Sequence, residues 1–422
     1  MNPASPEPAR VLVLAPRFPS INQPWVDTYL EQLQRTGIPF AVATEQEKPG
    51  VYHDKVDSLG FLRRTVTASF RPSRSVLHVV YGLVSNPGTS WRLLSAAGRG
   101  QAGPGRLRNR VGRVLRAFNA AHAVRYLRGL ELIHAHSLGM AYDFLPWAGV
   151  RSIPLVLTFH GLQPKGVPQV PVYKRKAVFQ HAIRVLVNTE FARDHAIELG
   201  CEPDKVNIIP QGLPLEDFPY TPHTRPGCGE SVRLLTVGRY QRDKGQGYAL
   251  LALRRLLDSG VQAEWNFVGV GPDKVRLRRL ADRLGLAQQV VFRDGISTQD
   301  LRELYRDSHI FVFPSLGSRS GRLQHVETQG VVLQEAQASG CIPVATRVGG
   351  VPEVVNHGRD GLLVRDRSHR AIAGAVEQLL SLGETEWSRY QESGRRNVEE
   401  RFSADVVGKK MAEILRGVMR EP

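Results

Sequence analysis

Two glutamates stand eight positions apart in the stretch ETQGVVLQEAQASG, residues 327–340. On one continuous helix that spacing means about 12 Å of rise and a phase difference of about 80°. Glu327 and Glu335 could not then act on one atom. Gly330 weakens a helix interior, so the helix is expected to start near it. From Val331 to Ala338, Leu333, Ala336 and Gln337 fall close in phase, and Gly340 ends the run. Glu327 is therefore expected in the loop before the helix, and Glu335 a turn or more inside it. Between them lies the helix N-terminus at Gly330, Val331 and Val332, whose unpaired N–H groups and positive dipole end favour an anion. The resulting row is a carboxylate, anion-binding amides and a second carboxylate. A nucleotide sugar carries sugar hydroxyls, pyrophosphate and ribose hydroxyls in matching order. Two solvated surface glutamates are the plain alternative, and the neighbouring motifs must decide.

The strand-like run VRLLTVGR leads into GRYQRDKG, which puts Arg239 and Lys244 just past a strand's carboxyl end. Ligands of open parallel sheets bind there. A forked guanidinium and a point-charge ammonium on one loop suit a pyrophosphate, against the alternative of a solvated basic loop. In GVGPDKVRLRRL, Gly269 and Gly271 mark a tight strand-to-helix turn. The dinucleotide fingerprint does not continue from them, which counts against a dehydrogenase. TFHG places His160 at the end of an apolar strand, where it could hydrogen-bond a substrate or serve a structural role. Arg17, in APRFPS after the first strand, is similarly placed. His134 and His136 in HAH share one strand face. No third ligand is spaced to join them, so a strand end is read in preference to zinc.

These residues need a scaffold, and the chain supplies one twice. RVLVLAP, PFAVAT, LELIHAHS, PLVLTFHG, RVLVNT and VNIIP read as strands, with QPWVDTYLEQLQRTG and EFARDHAIELG as helices among them. Residues 211–230, QGLPLEDFPYTPHTRPGCGE, read as a linker rich in Pro, Gly and Thr. The rhythm then restarts with strands VRLLTVGR, AEWNFVGVG, VVFRDG, IFVFPS, PVATRVGG and GLLV alternating with helices. Short apolar runs separated by helices imply parallel sheets. The expected fold class is α/β, with two Rossmann-like doubly wound domains facing across a cleft. The expected domains are residues 1–210, the linker, residues 231–395, and a C-terminal helix over 396–422 packing back on the first domain.

The chain of 422 residues is long enough for two such domains, and 42% hydrophobic with 23% charged residues is a globular composition. Three cysteines, Cys201, Cys228 and Cys341, form no CxxC and argue for a reducing compartment and against a structural metal. VLVLAP lacks the charged start and cleavage site of a signal peptide, and no stretch approaches the ~20 apolar residues of a membrane span. A cytoplasmic protein is expected, soluble or peripheral on the inner membrane face. The net charge is +16, and from Ser58 to Leu130 there are thirteen arginines and no Asp or Glu. In the densest part, residues 105–130, Val111, Val114, Leu115 and Phe118 share a helical face, while Arg106, Arg110, Arg113 and Arg116 crowd the rest. That basic amphipathic pattern suits an anionic membrane surface. A nucleic-acid surface would also attract it, and an arginine-rich solvated face is the plain reading.

Taken together, the motifs VGRYQRDKG, VGVGPDKVRLRRLADRLGLAQQVVFRDG, LYRDSHIFVFPS, ETQGVVLQEAQASGCIPVATRVGGVPEVV and GRDGLLV occur in one order over about 135 residues. In them the second half resembles the family-four retaining glycosyltransferases of the GT-B fold, whose E-x7-E signature Glu327 and Glu335 match. HAHS, TFHG and VNTEFARDHAIELG carry a looser resemblance in the first half. The general look is similar to bacterial exopolysaccharide enzymes of the colanic-acid type. The resemblance implies a hexosyltransferase-type enzyme without cofactor or metal, using a UDP- or GDP-linked sugar as donor and a glycan or lipid-linked acceptor, with no nucleic-acid partner. It implies that Arg239 and Lys244 neutralise the departing diphosphate, that Glu327 binds donor-sugar hydroxyls, and that Glu335 holds the ribose. It also implies that Gly330 and the following amides cradle phosphate and that His160 meets the donor sugar. The chain departs from the family pattern in PRFPSINQPW, where a Gly-Gly loop is common and Asn22 and Gln23 replace an acidic residue. It departs again in PQGLPLEDF, where an Asn-Gly turn is usual, and at Asp294, where glycine is common beside the base pocket. Front-side displacement, with the diphosphate taking the acceptor proton, is the mechanism the resemblance implies. The rival readings are a same-fold epimerase or phosphorylase, and a basic membrane- or nucleic-acid-binding protein on a degenerate scaffold.

Overall fold

The computed structural model describes residues 8–20, 24–46, 52, 55–70, 72–99, 106–161, 169–317 and 326–420. Asn22 and Gln23 lie outside them. The chain divides into two compact units. The first holds residues 1–188, 193–212 and 407–422, and the second holds 189–192 and 213–406.

The first unit contains strands β1 (Val11–Leu14), β2 (Phe40–Thr44), β3 (Thr65–Thr67), β4 (Leu132–Ala135), β5 (Leu155–Thr158), β6 (Ala182–Val187) and β7 (Val206–Ile208). Its helices are α1 (Pro24–Arg35), α2 (Lys55–Ser58), α3 (Pro72–Ser85), α4 (Pro87–Arg99), α5 (Arg106–Ala123), α6 (Leu138–Arg151) and α7 (Val172–His181); α8 (Glu190–Glu198) follows β6. The sheet order is β3-β2-β1-β4-β5-β6-β7, parallel throughout. Strands such as VLVL are buried at every residue, so the apolar runs carry no alternation. Val11 and Val13 of β1, Phe40 and Val42 of β2, and Leu132 of β4 pack against Val26, Leu30 and Leu33 of α1.

The second unit contains β8 (Val232–Val237), α9 (Gln246–Asp258), β9 (Ala263–Val268), α10 (Lys274–Arg283), β10 (Val290–Arg293), α11 (Thr298–Asp307), β11 (Ile310–Phe313), α12 (Val331–Ser339), β12 (Ile342–Thr346), α13 (Val351–Val354), β13 (Leu362–Val364), α14 (His369–Leu380) and α15 (Glu384–Arg401). Its parallel order is β10-β9-β8-β11-β12-β13. Two apolar clusters lie on the two faces of this sheet. Leu234, Ile310 and Val312 pack with α9, α10 and α14 on one side, and Leu235, Phe311 and Phe313 pack with α11, α12 and α15 on the other. In each unit the order reverses beside the first strand, at β1/β4 and at β8/β11. Ligands of such sheets bind at that point, beyond the carboxyl ends of the strands.

Two sequence expectations need correction. The C-terminal segment expected as one helix over 396–422, packing back on the first domain, is divided between two helices. α15 continues to Arg401, Leu213 then pairs with the backbone of Phe402 and Ala404, and α16 (Ala404–Arg420) begins. That pairing interrupts the helix, and only from Val407 does the chain join the first unit, where Met411, Leu415 and Val418 enter its core. The apolar face expected over 105–130 is only partly turned inward: the acid-free segment carries α3, α4 and α5, and on α5 Phe118 is buried and Val114 and Leu115 are half-buried, while Val111 is 52% exposed. Arg116 turns inward to Asp143 of α6 (3.1 Å) and over the Phe70 ring, and Arg113 stacks over Tyr142. A guanidinium can be accepted inside a helix layer when a carboxylate or aromatic face meets it.

Candidate functional site

In the second unit the site grows from the β8/β11 reversal. Past β8 the chain runs Gly238–Arg239–Tyr240. The Tyr240 ring is buried, and its O–H donates to the carbonyls of Phe267 (2.8 Å) and Arg293 (3.1 Å). The side-chain amide of Gln246 donates to the Arg239 carbonyl at 2.8 Å. The backbone is thus pinned while the Arg239 side chain lies exposed, with no ion pair among the described residues. Gly271 belongs to this support. A Cβ there would lie 2.4 Å from the Tyr240 carbonyl oxygen, so the two loops meet backbone to backbone. Asp294 pairs with Lys274 at the start of α10.

A short 3-10 turn, Arg242–Lys244, then delivers Lys244. Its Nζ lies 2.7 Å from Glu327 Oε2, and both side chains are largely buried, at 16% and 19% exposure. Glu327 occupies the loop before α12. Its carbonyl accepts from the Gly350 N–H at 3.0 Å, and a Cβ on Gly350 would come within 1.9 Å of the Thr328 carbonyl. A Cβ on Gly349 would likewise come within 2.0 Å of the Glu327 carbonyl oxygen, so these two glycines let the Glu327 loop lie flat on the turn after β12. α12 starts where the sequence places it, after Gly330 in the left-handed region (φ 81°), and no side chain caps it. The first N–H groups of the helix, at Val331 and Val332, have no acceptor within it. Glu335 lies in the second turn, where Tyr305 of α11 donates its O–H to Oε2 at 2.7 Å. Tyr305 is fully buried, on a helix opened by a capping box between Ser297 and Asp300. Burial pushes the Glu335 carboxyl upward, against the opposing pull of the Tyr305 hydroxyl and the Arg302 charge.

The first unit gathers its own group. Arg17 is exposed on the turn after β1. His134 ends in hydrogen bonds on both ring nitrogens, Nδ1 to Tyr29 Oη (2.5 Å) and Nε2 to Thr158 Oγ1 (2.7 Å). His136 Nδ1 lies 3.3 Å from His160 Nε2, and His160 Nδ1 lies 3.4 Å from Gln211 Nε2. Trp25 packs over both, with ring centroids 5.1 and 4.3 Å away. With the Gln211 amide nitrogen at Nδ1, His160 carries its proton on Nε2 and donates to His136. Burial lowers His134 to about 3 and His160 to about 4, and it drives His136 well below its ordinary value. The cluster is therefore neutral near pH 7, and His160 can serve as a dipole rather than a cation.

The structure brings Lys244 and Glu327 together and sets Gly330, Val331 and Val332 between Glu327 and Glu335. Sequence reading gave no role to Tyr305, Gln246, Gly350, His136 or Gln211. Tyr305 and Gly350 lie inside the quoted motifs, yet nothing local in the sequence pairs them with a partner.

The arrangement defines a class: two Rossmann-like domains of the GT-B type. HepE of Anabaena, solved in complex with UDP and glucose, shares this fold with a TM-score of 0.68 at 16% identity, covering 96% of this chain and 99% of that one. A glycosyltransferase from Rickettsia africae gives 0.70 at 18% identity, covering 99% of this chain and all of its own. Residues 229–396 match the family described as Glycosyl transferases group 1, and residues 26–217 match Glycosyltransferase Family 4. The chain belongs to these glycosyltransferases. Among its relatives, the putative colanic acid biosynthesis glycosyltransferase WcaL of Escherichia coli is 24% identical over 72% of this chain and 74% of its own. The amylovoran biosynthesis glycosyltransferase AmsK of Erwinia amylovora is 27% identical over 72% of this chain and 73% of its own.

Proposed function

We propose that the protein transfers a hexose from a UDP- or GDP-linked donor to a hydroxyl of a glycan or lipid-linked acceptor during exopolysaccharide assembly, with retention at the anomeric carbon. The observation that carries this reading is the Lys244–Glu327 pair at the strand-order reversal, directly before an uncapped helix N-terminus. Breaking the glycosyl–phosphate bond leaves positive charge on the sugar and negative charge on the diphosphate. Groups fixed before the reaction stabilise that separation without reorganising. Lys244, Arg239 and the α12 amides serve the diphosphate. Glu327, held in place by Lys244, accepts from donor-sugar hydroxyls, and Glu335 accepts from the ribose. His160 is neutral and bonded at both ring nitrogens within its own cluster, so it reaches the donor sugar by exchanging its long bond to His136 or Gln211 for a sugar hydroxyl, and Arg17 lies on the substrate side of the first unit. Glu327 is already paired with Lys244 and Glu335 is held by Tyr305, which favours front-side displacement over a carboxylate nucleophile. The leaving diphosphate oxygen then takes the acceptor's proton as the new bond forms on the same face.

Several relatives support a polysaccharide role by their names, and HepE has been solved with UDP-glucose. An anionic membrane face is the proposed setting for a lipid-linked acceptor. Among the described residues no helix is long and apolar enough to cross a membrane. Calorimetry with UDP, GDP, ADP and their sugars tests the donor site, beside Glu335→Ala and Arg239→Ala. One nucleotide bound by the wild type and weakened in both variants supports the reading. No binding to any of them overturns it and leaves the basic surface as the better lead.

A further inference from the structure

α3 is built the wrong way round for a surface helix. Its inward side is small: Ser75 is fully buried, and a Cβ on Gly82 would come 2.9 Å from the Phe118 ring of α5 and 3.0 Å from Ser90 Oγ of α4. Five of its larger apolar or aromatic side chains face out, while Val79 and Leu83 are half-buried. Val76 is 51% exposed, Leu77 67%, Val80 54%, Tyr81 53% and Val84 80%. These positions advance as i, i+1, i+4, i+5 and i+8, which is one continuous helical face. Single exposed apolar residues are ordinary, but this stripe amounts to on the order of 500 Å2, the size at which a monomer's largest patch is commonly functional. Only Asn86 separates α3 from α4, where Trp91 is 68% exposed.

The surroundings say what covers this face. The stripe lies inside the stretch from Ser58 to Leu130, which has thirteen arginines and no acidic residue. Arg113 and Arg116 are turned inward, while Arg92 and Arg110 are exposed. A second copy of the chain would bring the same acid-free segment against itself, a like-charge contact. A nucleic acid would meet the arginines but leave the apolar stripe in water. An anionic bilayer meets both, with acyl chains for the valines and leucine, headgroups for the arginines, and an interface suited to tyrosine and tryptophan. We propose that α3, rather than the basic helix α5, docks the protein on an anionic lipid surface, its outward face lying in the headgroup–acyl boundary. This stands independently of the donor site.

The test is flotation of the full chain with vesicles of neutral phosphatidylcholine, or of phosphatidylcholine with phosphatidylglycerol, at low and high salt. Wild type is expected to bind the anionic vesicles at least tenfold more tightly than the neutral ones. Leu77→Glu and Val84→Glu should each lose tenfold or more, and the milder Leu77→Ser several-fold, with unchanged circular dichroism and unchanged nucleotide binding. Arg92→Glu should weaken binding and lessen its salt dependence. Equal binding to both vesicle types overturns the proposal, as does full binding by Val84→Glu. Sedimentation of the wild type as a dimer that Val84→Glu dissociates would also overturn it, assigning the face to a second copy.

Discussion

If Glu335 holds the ribose, its effect must depend on the ribose hydroxyls. Tyr305 occupies one lone-pair site on Oε2 and leaves the rest of the carboxylate free to accept. A hydrogen bond to a charged group contributes about 1.5–3 kcal/mol, so two hydroxyls amount to at least about 3 kcal/mol, or roughly a hundredfold in affinity. Glu335→Ala should therefore raise the Kd of the preferred nucleoside diphosphate about a hundredfold by calorimetry. The 2′,3′-dideoxy nucleotide should bind wild type weakly, and Glu335→Ala should leave that binding unchanged. Tyr305→Phe removes the donor that fixes the carboxylate and should weaken the ribonucleotide several-fold. In Glu335→Ala it should have no such further effect, so the two changes are non-additive. Because burial lifts the Glu335 carboxyl above the ordinary range, ribonucleotide affinity should also begin to fall at milder acidity than an exposed glutamate would give. An equal loss for the ribo and dideoxy nucleotides in a well-folded Glu335→Ala protein would refute the ribose assignment.

Three other consequences can be checked. Lys244→Met removes a diphosphate cation and the ion pair that holds the largely buried Glu327 carboxylate; kcat for donor turnover should drop by roughly a hundredfold or more, exceeding any loss of nucleotide affinity. Gly350→Ala puts a Cβ against the Thr328 carbonyl, so urea melts should show a loss of about 2 kcal/mol or more, with weaker donor turnover from the displaced Glu327 loop. Asp27 of α1 is buried and its carboxyl is pushed up to about 7, with Lys55 opposing the shift. The folded state thus prefers it protonated. Its contribution to stability is greatest below the ordinary carboxylate range, declines as pH rises towards 7, and stays low above. Asp27→Asn should raise Tm at pH 8 and flatten this slope, the full effect being on the order of 4 kcal/mol. The histidines oppose it on the acid side: His134 and His160 contribute fully above about 6.5 and lose that contribution as pH falls towards their folded values. A pH–stability curve unchanged by Asp27→Asn would show that this carboxyl is solvated.

The alternation of strands and helices was legible along the chain because strands buried on both faces read as plain apolar runs, such as VLVL and IFVF. The placement of Glu327, Gly330 and Glu335 was legible for a similar reason. A glycine helix start and a 3.6-residue period are local properties, and α12 runs from Val331 to Ser339. Which groups meet is another matter. Lys244 reaches Glu327 across 83 positions, and Tyr305 reaches Glu335 across 30, only because β8 and β11 are neighbours in the folded sheet and α12 packs on its face. Local pattern was even misleading in the acid-free segment. Its arginines read as a polar face, yet Arg113 and Arg116 turn inward onto Tyr142 and Asp143, and the outward apolar stripe of α3 was not read from the sequence at all. Periodicity shows that a helix has two unlike sides. Which side is buried depends on the neighbours it packs against, and here the small side at Ser75 and Gly82 allows the close approach that turns the large side out.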